Sequence, residues 1–453
     1  MARVKEENPM AGQEQDPASI FDINIQTRTG TLVLVVVLAA TMLARPAAQA
    51  QTLSIVHPFT SGGGGAYPGA GLVMDRAGDL YGTASEGGVV TGSCSNGCGT
   101  VFKLSLKNSS WVLSPLYSFR GGTDGLTPNA RVTIGPDGNL YGTTLFGGQG
   151  NCIPGPHCGV VFRLRPPVTA CTSFLCPWME TILYSFTGGA DGGQPAGDLS
   201  FDQAGNLYGS TTEGGYTGGV CGTYGCGVVY KLTPSNGGWT ESVLYGFQGA
   251  SDGQNPDGGV IPDGSGNLYG ITATGGNYQC EGYSCGTVFE LSPSGSGWTK
   301  NILHMFQGSV DGAFPFGGLI MDGSGNLYGT TSSYGPNGGG TIFELLSSGS
   351  WSFSLVYALH GGLETGPWGD LAIDAAGNLY GATKQEGQYG YGSVFRLVPA
   401  NGSWLYSDLH DFYDQSDGGL LFDGLVLDSQ GNVYGTAYGG GTYGYGVVFE
   451  ITP

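Results

Sequence analysis

Charged side chains are scarce in this 453-residue sequence, 11% of the chain, and basic ones scarcer still: 15 Lys+Arg stand against 35 Asp+Glu. The resulting net charge of −20 repels phosphate backbones and anionic lipid, which excludes nucleic acid and membrane surfaces as partners. Histidine occurs five times, as His57, His157, His304, His360 and His410, and none stands like a base beside a nucleophile. No Gly-x-Ser-x-Gly elbow, phosphate-binding loop or His-Glu-x-x-His helix occurs, so no motif announces a reaction or requires a cofactor. Long hydrophobic runs are lacking too. The apolar run at residues 31–44 spans fourteen positions, short of the roughly 20 that cross a hydrocarbon core. Preceded by Arg28 and followed by Ala47, Ala48 and Ala50, it reads as a signal peptide cleaved after Ala50, with no membrane insertion afterwards.

What is abundant is glycine, at 88 positions, together with 25 Tyr, 20 Phe and 7 Trp. Glycine disfavours helices and favours tight turns, while regularly spaced aromatics supply buried area, so the chain reads as all-β and not as disordered. Seven copies of one hairpin recur, marked by Leu80-Tyr81-Gly82, Leu140-Tyr141-Gly142, Leu207-Tyr208-Gly209, Leu268-Tyr269-Gly270, Leu327-Tyr328-Gly329, Leu379-Tyr380-Gly381 and Val433-Tyr434-Gly435. Each copy holds four strand-like runs, in the fifth at residues 318–321, 326–331, 341–345 and 351–359. Four short strands per repeat describe a propeller blade, and seven copies predict a seven-bladed β-propeller over residues 51–453. The first two runs are joined by Asp-x-x-Gly-Asn, as at residues 202–206 and 322–326. One carboxylate per copy suits a hairpin turn better than a calcium loop, and Gly135 replaces the Asp in the second copy.

The fourth run opens with Trp111, Trp178, Trp239, Trp298, Trp351 or Trp404, with Phe or Leu eight positions later. That makes six outer strands for seven copies. The seventh copy stops at Pro453 after its third run, whereas residues 51–59 match the absent strand, ending on Phe59. A ring closed by its own N-terminal strand leaves no open sheet edge.

The loop from the second run to the third and the loop between blades should emerge on one face. The former is long in copies one to four and short in copies five to seven, and only the long ones contain cysteine. Ten cysteines form five close pairs: Cys94/Cys98, Cys152/Cys158, Cys171/Cys176, Cys221/Cys226 and Cys280/Cys285. In an exported chain without fixed histidine partners these predict local disulfides and not zinc sites. The interblade loops place Asp124, Asp191, Asp252, Asp311, Glu364 and Asp417 five positions after each strand-ending residue, where they either cap their own turn or ring the channel mouth for a cation or polar ligand. Tyrosines crowd the same loops: Tyr216, Tyr224, Tyr278, Tyr283, Tyr334, Tyr389, Tyr391, Tyr438, Tyr443 and Tyr445. They either pack on the loops or offer flat, polar rings to a glycan.

The Asp-x-x-Gly-Asn-Leu-Tyr-Gly-Thr-Thr of residues 322–331, the Gly-Thr-Val-Phe-Glu-Leu of residues 286–291 and the Leu-Tyr-x-Phe of residues 183–186 resemble the GloVer tandem repeat. The resemblance implies an exported bacterial protein of the choice-of-anchor kind, and this sequence departs from it by ending without an apolar tail, which favours release over sorted anchoring. The expectation is a secreted, monomeric, non-enzymatic propeller that binds an extracellular glycan or protein. The alternatives are a carbohydrate-active hydrolase or lyase using carboxylates at the channel mouth, and a structural or adhesive surface protein.

Overall fold

A computed structural model describes residues 51–150, 158–167, 178–277, 279–280 and 283–452. The signal-peptide region, Cys152, His157, Cys171, Cys176 and Tyr278 lie outside the described residues. Seven four-stranded antiparallel sheets form a ring, a seven-bladed β-propeller, and a two-residue hairpin, Gln279–Cys280 with Tyr283–Ser284, decorates one loop. In the fifth blade the strands are Ile320–Met321 at the axis, then Leu327–Thr331, Gly338–Leu346 and Ser352–His360 at the rim.

The hairpin turns form because one carboxylate gathers three or four donors. Asp202 accepts from the backbone N–H of Ala204 (2.9 Å) and Asn206 (2.8 Å), and its other oxygen accepts from Asn206 Nδ2 (2.6 Å) and the Tyr208 hydroxyl (2.9 Å). The second blade reaches the same result by another route. Asp137, two residues on from Gly135, accepts from Asn139 N–H (3.1 Å) and the Tyr141 hydroxyl (2.8 Å), and a Cβ on Gly135 would stand 2.4 Å from the Tyr141 ring. The turn reading of this motif thus has its donors in full.

Closure follows the sequence register. Strand Thr52–Pro58 pairs antiparallel with Val447–Thr452, Leu53 opposite Ile451 and His57 opposite Val448, and so completes the seventh blade. It also carries the bulge of its six counterparts: the pairing skips Val56 here, Leu116 in the first blade and Leu303 in the fourth. A bulge inserts one residue and turns it toward a face it would otherwise miss. Val56 and Leu116 are buried accordingly.

Apolar burial then ties each blade to the next, and one hydrophobic cluster fills each of the seven seams. Phe119, at the end of the first rim strand, meets Phe162 of the second blade edge to face at 5.2 Å, and Phe59 meets Phe102 across the closing seam at 5.2 Å. Burying such a ring stabilises by about 1.5–3 kcal/mol. The same phenylalanine explains the glycine of Leu-Tyr-Gly: a Cβ on Gly329 would lie 2.5 Å from Phe343, its cross-strand partner. In five copies the preceding tyrosine packs on the next blade's rim tryptophan, as Tyr434 does on Trp111 at 6.0 Å.

Candidate functional site

Each interblade loop descends toward the axis through a proline, at Pro68, Pro128, Pro195, Pro256, Pro315 and Pro367, with Leu421 in the seventh copy. The residue after it faces the channel. Going round the ring these are Gly69, Asn129, Ala196, Asp257, Phe316, Trp368 and Phe422, and all seven line a cavity of about 370 Å³ at the axial mouth. One half of the mouth is therefore small or polar and the other half aromatic. Phe316 stacks on Trp368 at 4.4 Å, Trp368 meets Phe422 edge to face at 5.7 Å, Phe422 meets Tyr438 at 5.2 Å, and Tyr438 stacks on Tyr67 at 5.0 Å. The Lys384 ammonium stands 3.8 Å from the Trp368 ring centre. Trp368 Nε1 is buried without a hydrogen-bond partner. Below the mouth, backbones of adjacent blades converge: a Cβ on Gly317 would lie 2.4 Å from the Gly369 carbonyl oxygen.

A charged septum floors the cavity. Arg131 Nη2 donates to Asp370 across the channel at 2.8 Å and to Asp198, and its own N–H donates to Asp198 at 2.9 Å. Asp370 also accepts from Gly318 N–H, and Asp423 from the N–H groups of Gly71 and Gly424. A second chamber of about 500 Å³, lined by Val73, Met74, Ile134, Ile261, Ile320 and Met321, opens beneath. Burial pulls the Arg131 guanidinium down, but the Asp198, Asp370 and Asp423 charges outweigh it and hold it protonated. Burial and repulsion from Asp198, opposed by Arg131, push Asp423 up to about 7, and burial raises Asp370 likewise. Among the described residues Asp257 has neither cation nor donor, and burial alone pushes it up to about 6.

The six loop carboxylates lie elsewhere, and none of them lines the mouth. Asp124, Asp191 and Asp252 accept from the hydroxyls of Tyr117 (3.2 Å), Tyr184 (3.0 Å) and Tyr245 (2.6 Å), and from the backbone N–H four residues earlier. Asp311 and Asp417 are buried against His304 (2.7 Å) and His410 (3.0 Å). Glu364 is the exposed member and approaches Lys384 at 3.7 Å. The next blade completes three of these nodes: Glu180 accepts from Tyr117 at 2.8 Å, Glu241 sits near Asp191, and Lys300 pairs with Asp252 at 2.7 Å. Burial, with repulsion from Asp124 and Asp191 respectively, pushes Glu180 and Glu241 up to about 7.

Among the tyrosines, Tyr216, Tyr224, Tyr389, Tyr391 and Tyr443 are exposed, while Tyr334 packs near Phe314 and Tyr445 near Tyr67. Tyr283 falls in the small loop hairpin, and Tyr438 is the one that lines the mouth. Cys94–Cys98, Cys221–Cys226 and Cys280–Cys285 are disulfides, and Cys158 is disulfide-bonded too. The bridges are packed inward: Cys98, Cys226 and Cys285 are buried in the seam clusters. Among the described residues no group of His, Cys, Asp or Glu is arranged to hold a metal ion, and no helix is long and apolar enough to cross a membrane.

What the sequence reading missed is the residue after each loop proline. It varies from glycine to tryptophan between two repeated flanks, and that variation at a fixed place was the available signal.

The Gloeobacter/Verrucomicrobia repeat matches residues 42–221, 157–362 and 281–453, and the chain belongs to this family. No curated protein matches it. Solved structures similar to it include an ulvan polysaccharide lyase bound to a saccharide (11% identity, 85% of this chain and 94% of that one, TM-score 0.48). A protein of unknown function from Dyadobacter fermentans is similar at 12% identity (89% and 98%, TM-score 0.44), and a gluconolactonase from Xanthomonas campestris at 13% (60% and 74%, TM-score 0.35). Likenesses this distant assign no activity to the chain.

Proposed function

We propose that this chain is an exported, non-enzymatic binding propeller that takes an extracellular glycan at its axial mouth. The observation that carries the reading is the half-ring of Phe316, Trp368, Phe422 and Tyr438 around a cavity of about 370 Å³. Aromatic faces suit the C–H surfaces of a sugar ring, and small-ligand sites typically enclose about 300–1,000 Å³ with a few polar groups to orient the guest. The disulfides fit an oxidising, extracellular setting. The test is a glycan array of residues 51–453 followed by calorimetry on the hits. Trp368→Ala should weaken binding by about tenfold or more, the loss of one good aromatic contact. If Tyr389→Ala and Tyr443→Ala abolish binding while Trp368→Ala does not, the site belongs on the outer loops.

A second reading, a hydrolase or lyase, is favoured by one observation, the Asp257 carboxyl with its raised pKa of about 6 at the mouth. The other mouth carboxylates are engaged by Arg131 and backbone amides, which leaves no free partner for a two-carboxylate mechanism. Polysaccharide turnover that disappears in Asp257→Asn would replace the binding reading.

A further inference from the structure

The mouth is unbalanced in charge as well as in shape. Asp198, Asp257, Asp370 and Asp423 line it, and among the described residues Arg131 beneath is the one cation that pairs with this group. Three of the four have partners: Asp198 and Asp370 hold the guanidinium, and Asp423 takes backbone N–H groups. Among the described residues Asp257 has none, and it lines the cavity half-buried, beside the converging backbones of Gly197 and Gly259. A carboxylate without a partner of its own gains most from a donor that carries positive charge. The aromatic half supplies the complement, because ring faces attract cations. The chain already uses them so: Lys384 Nζ stands 3.8 Å from the centre of Trp368 and 5.3 Å from that of Phe422.

Resting on the glycan reading above, we propose that the mouth selects an amino sugar, whose ammonium seats against the Asp257 carboxylate while its ring lies along Phe316 and Phe422. Size agrees with this, since the cavity holds one or two sugar rings and not a folded protein loop. The repeat also shows that residue 257 is free to vary without loss of the blade. Its counterparts are Gly69, Asn129 and Ala196, so Asp257→Asn recreates in the fourth blade what the second already has.

The experiment is calorimetry on residues 51–453 with three probes in physiological salt near neutral pH: a glucosamine tetramer, its fully N-acetylated form, and cellotetraose. The glucosamine tetramer should bind about tenfold more tightly than the other two, the lower end of a charge-assisted hydrogen bond. Asp257→Asn, and independently Asp257→Ser, should erase that preference, bringing the glucosamine tetramer to the affinity that the same variant has for cellotetraose. Equal affinity for all three overturns the charge selection while leaving the glycan reading intact. A preference that survives both variants overturns it too, by assigning the attraction to the general negative charge of the chain. Silence with all three probes overturns the amino-sugar inference, and the array then decides the glycan reading separately. Calcium binding that Asp257→Asn abolishes would make the site a cation site and overturn it as well.

Discussion

Blades one to four and blades five to seven differ in two places at once. The first four carry long loops with cysteine pairs and present Gly69, Asn129, Ala196 and Asp257 to the mouth. The last three carry short loops without cysteine and present Phe316, Trp368 and Phe422. The seams between all seven follow one plan: a Phe at the end of the rim strand, Leu in the fifth blade; a Leu-Tyr-Gly, Val-Tyr-Gly in the seventh; and the same bulge. The contrast separates two kinds of constraint. Repetition marks what every blade needs in order to pack on its neighbour, and departure from repetition marks what the ring as a whole does.

The largest effect should come from the closing seam. Phe59→Ala empties a site with 1% exposure and should cost about 3–5 kcal/mol, read as a lower denaturant midpoint and early aggregation from the freed edge. An equally large loss on replacing Phe316, which belongs to the mouth, would erase the distinction between seam and mouth.

Next is the septum. Arg131→Met leaves Asp198, Asp370 and Asp423 without their cation and should cost about 3–5 kcal/mol above neutrality. Burial already raises Asp370 and holds Asp423 at about 7, and loss of the guanidinium raises both further, so the variant keeps its stability in acid and loses it as pH rises through 7 and beyond. Thermal melts from pH 5 to 8 check the slope. A pH-independent loss would mean that Arg131 acts through packing alone.

Third come the loops. Cys221→Ser with Cys226→Ser should cost about 2 kcal/mol, the loop-closure contribution of a short bridge. Reduction should raise hydrogen exchange in the long loops of blades one to four and leave the short loops of blades five to seven unchanged. A uniform response would remove the difference between the halves.

The smallest effect is carried by Glu180 and Glu241. Both are raised to about 7 from an unfolded value of 4.5, so the stability they contribute is present below pH 4.5 and lost as pH rises through about 7. Glu180→Gln with Glu241→Gln should flatten that part of the melting curve against pH, and a curve of unchanged slope would place the titration elsewhere.

The fold was legible because the chain states it seven times. Six Trp-initiated strands and the matching residues 51–59 already predict ring closure, and the structure pairs Leu53 with Ile451 as that register requires. Compensation within one copy was harder to see: Asp137 replaces the carboxylate that Gly135 lacks only because the tight turn brings residues 137 and 141 together. The candidate site was least legible. The recurring carboxylates pointed to Asp124 and its counterparts; in the structure the five Asp accept hydrogen bonds from the backbone four residues earlier, while Glu364 stands exposed. A position that reads Gly, Asn, Ala, Asp, Phe, Trp and Phe has no periodic signature. Its residues become neighbours only when the ring closes, so their joint character is a property of the circle and not of any repeat.

Hydrogen–deuterium exchange of residues 51–453 with and without a bound oligosaccharide tests the central claim directly, because it reports where the ligand sits. Protection confined to residues 256–258, 314–318, 366–370, 420–424 and 438 is the predicted result. Protection at residues 216–224, 389 and 443 with an unchanged axis would contradict it.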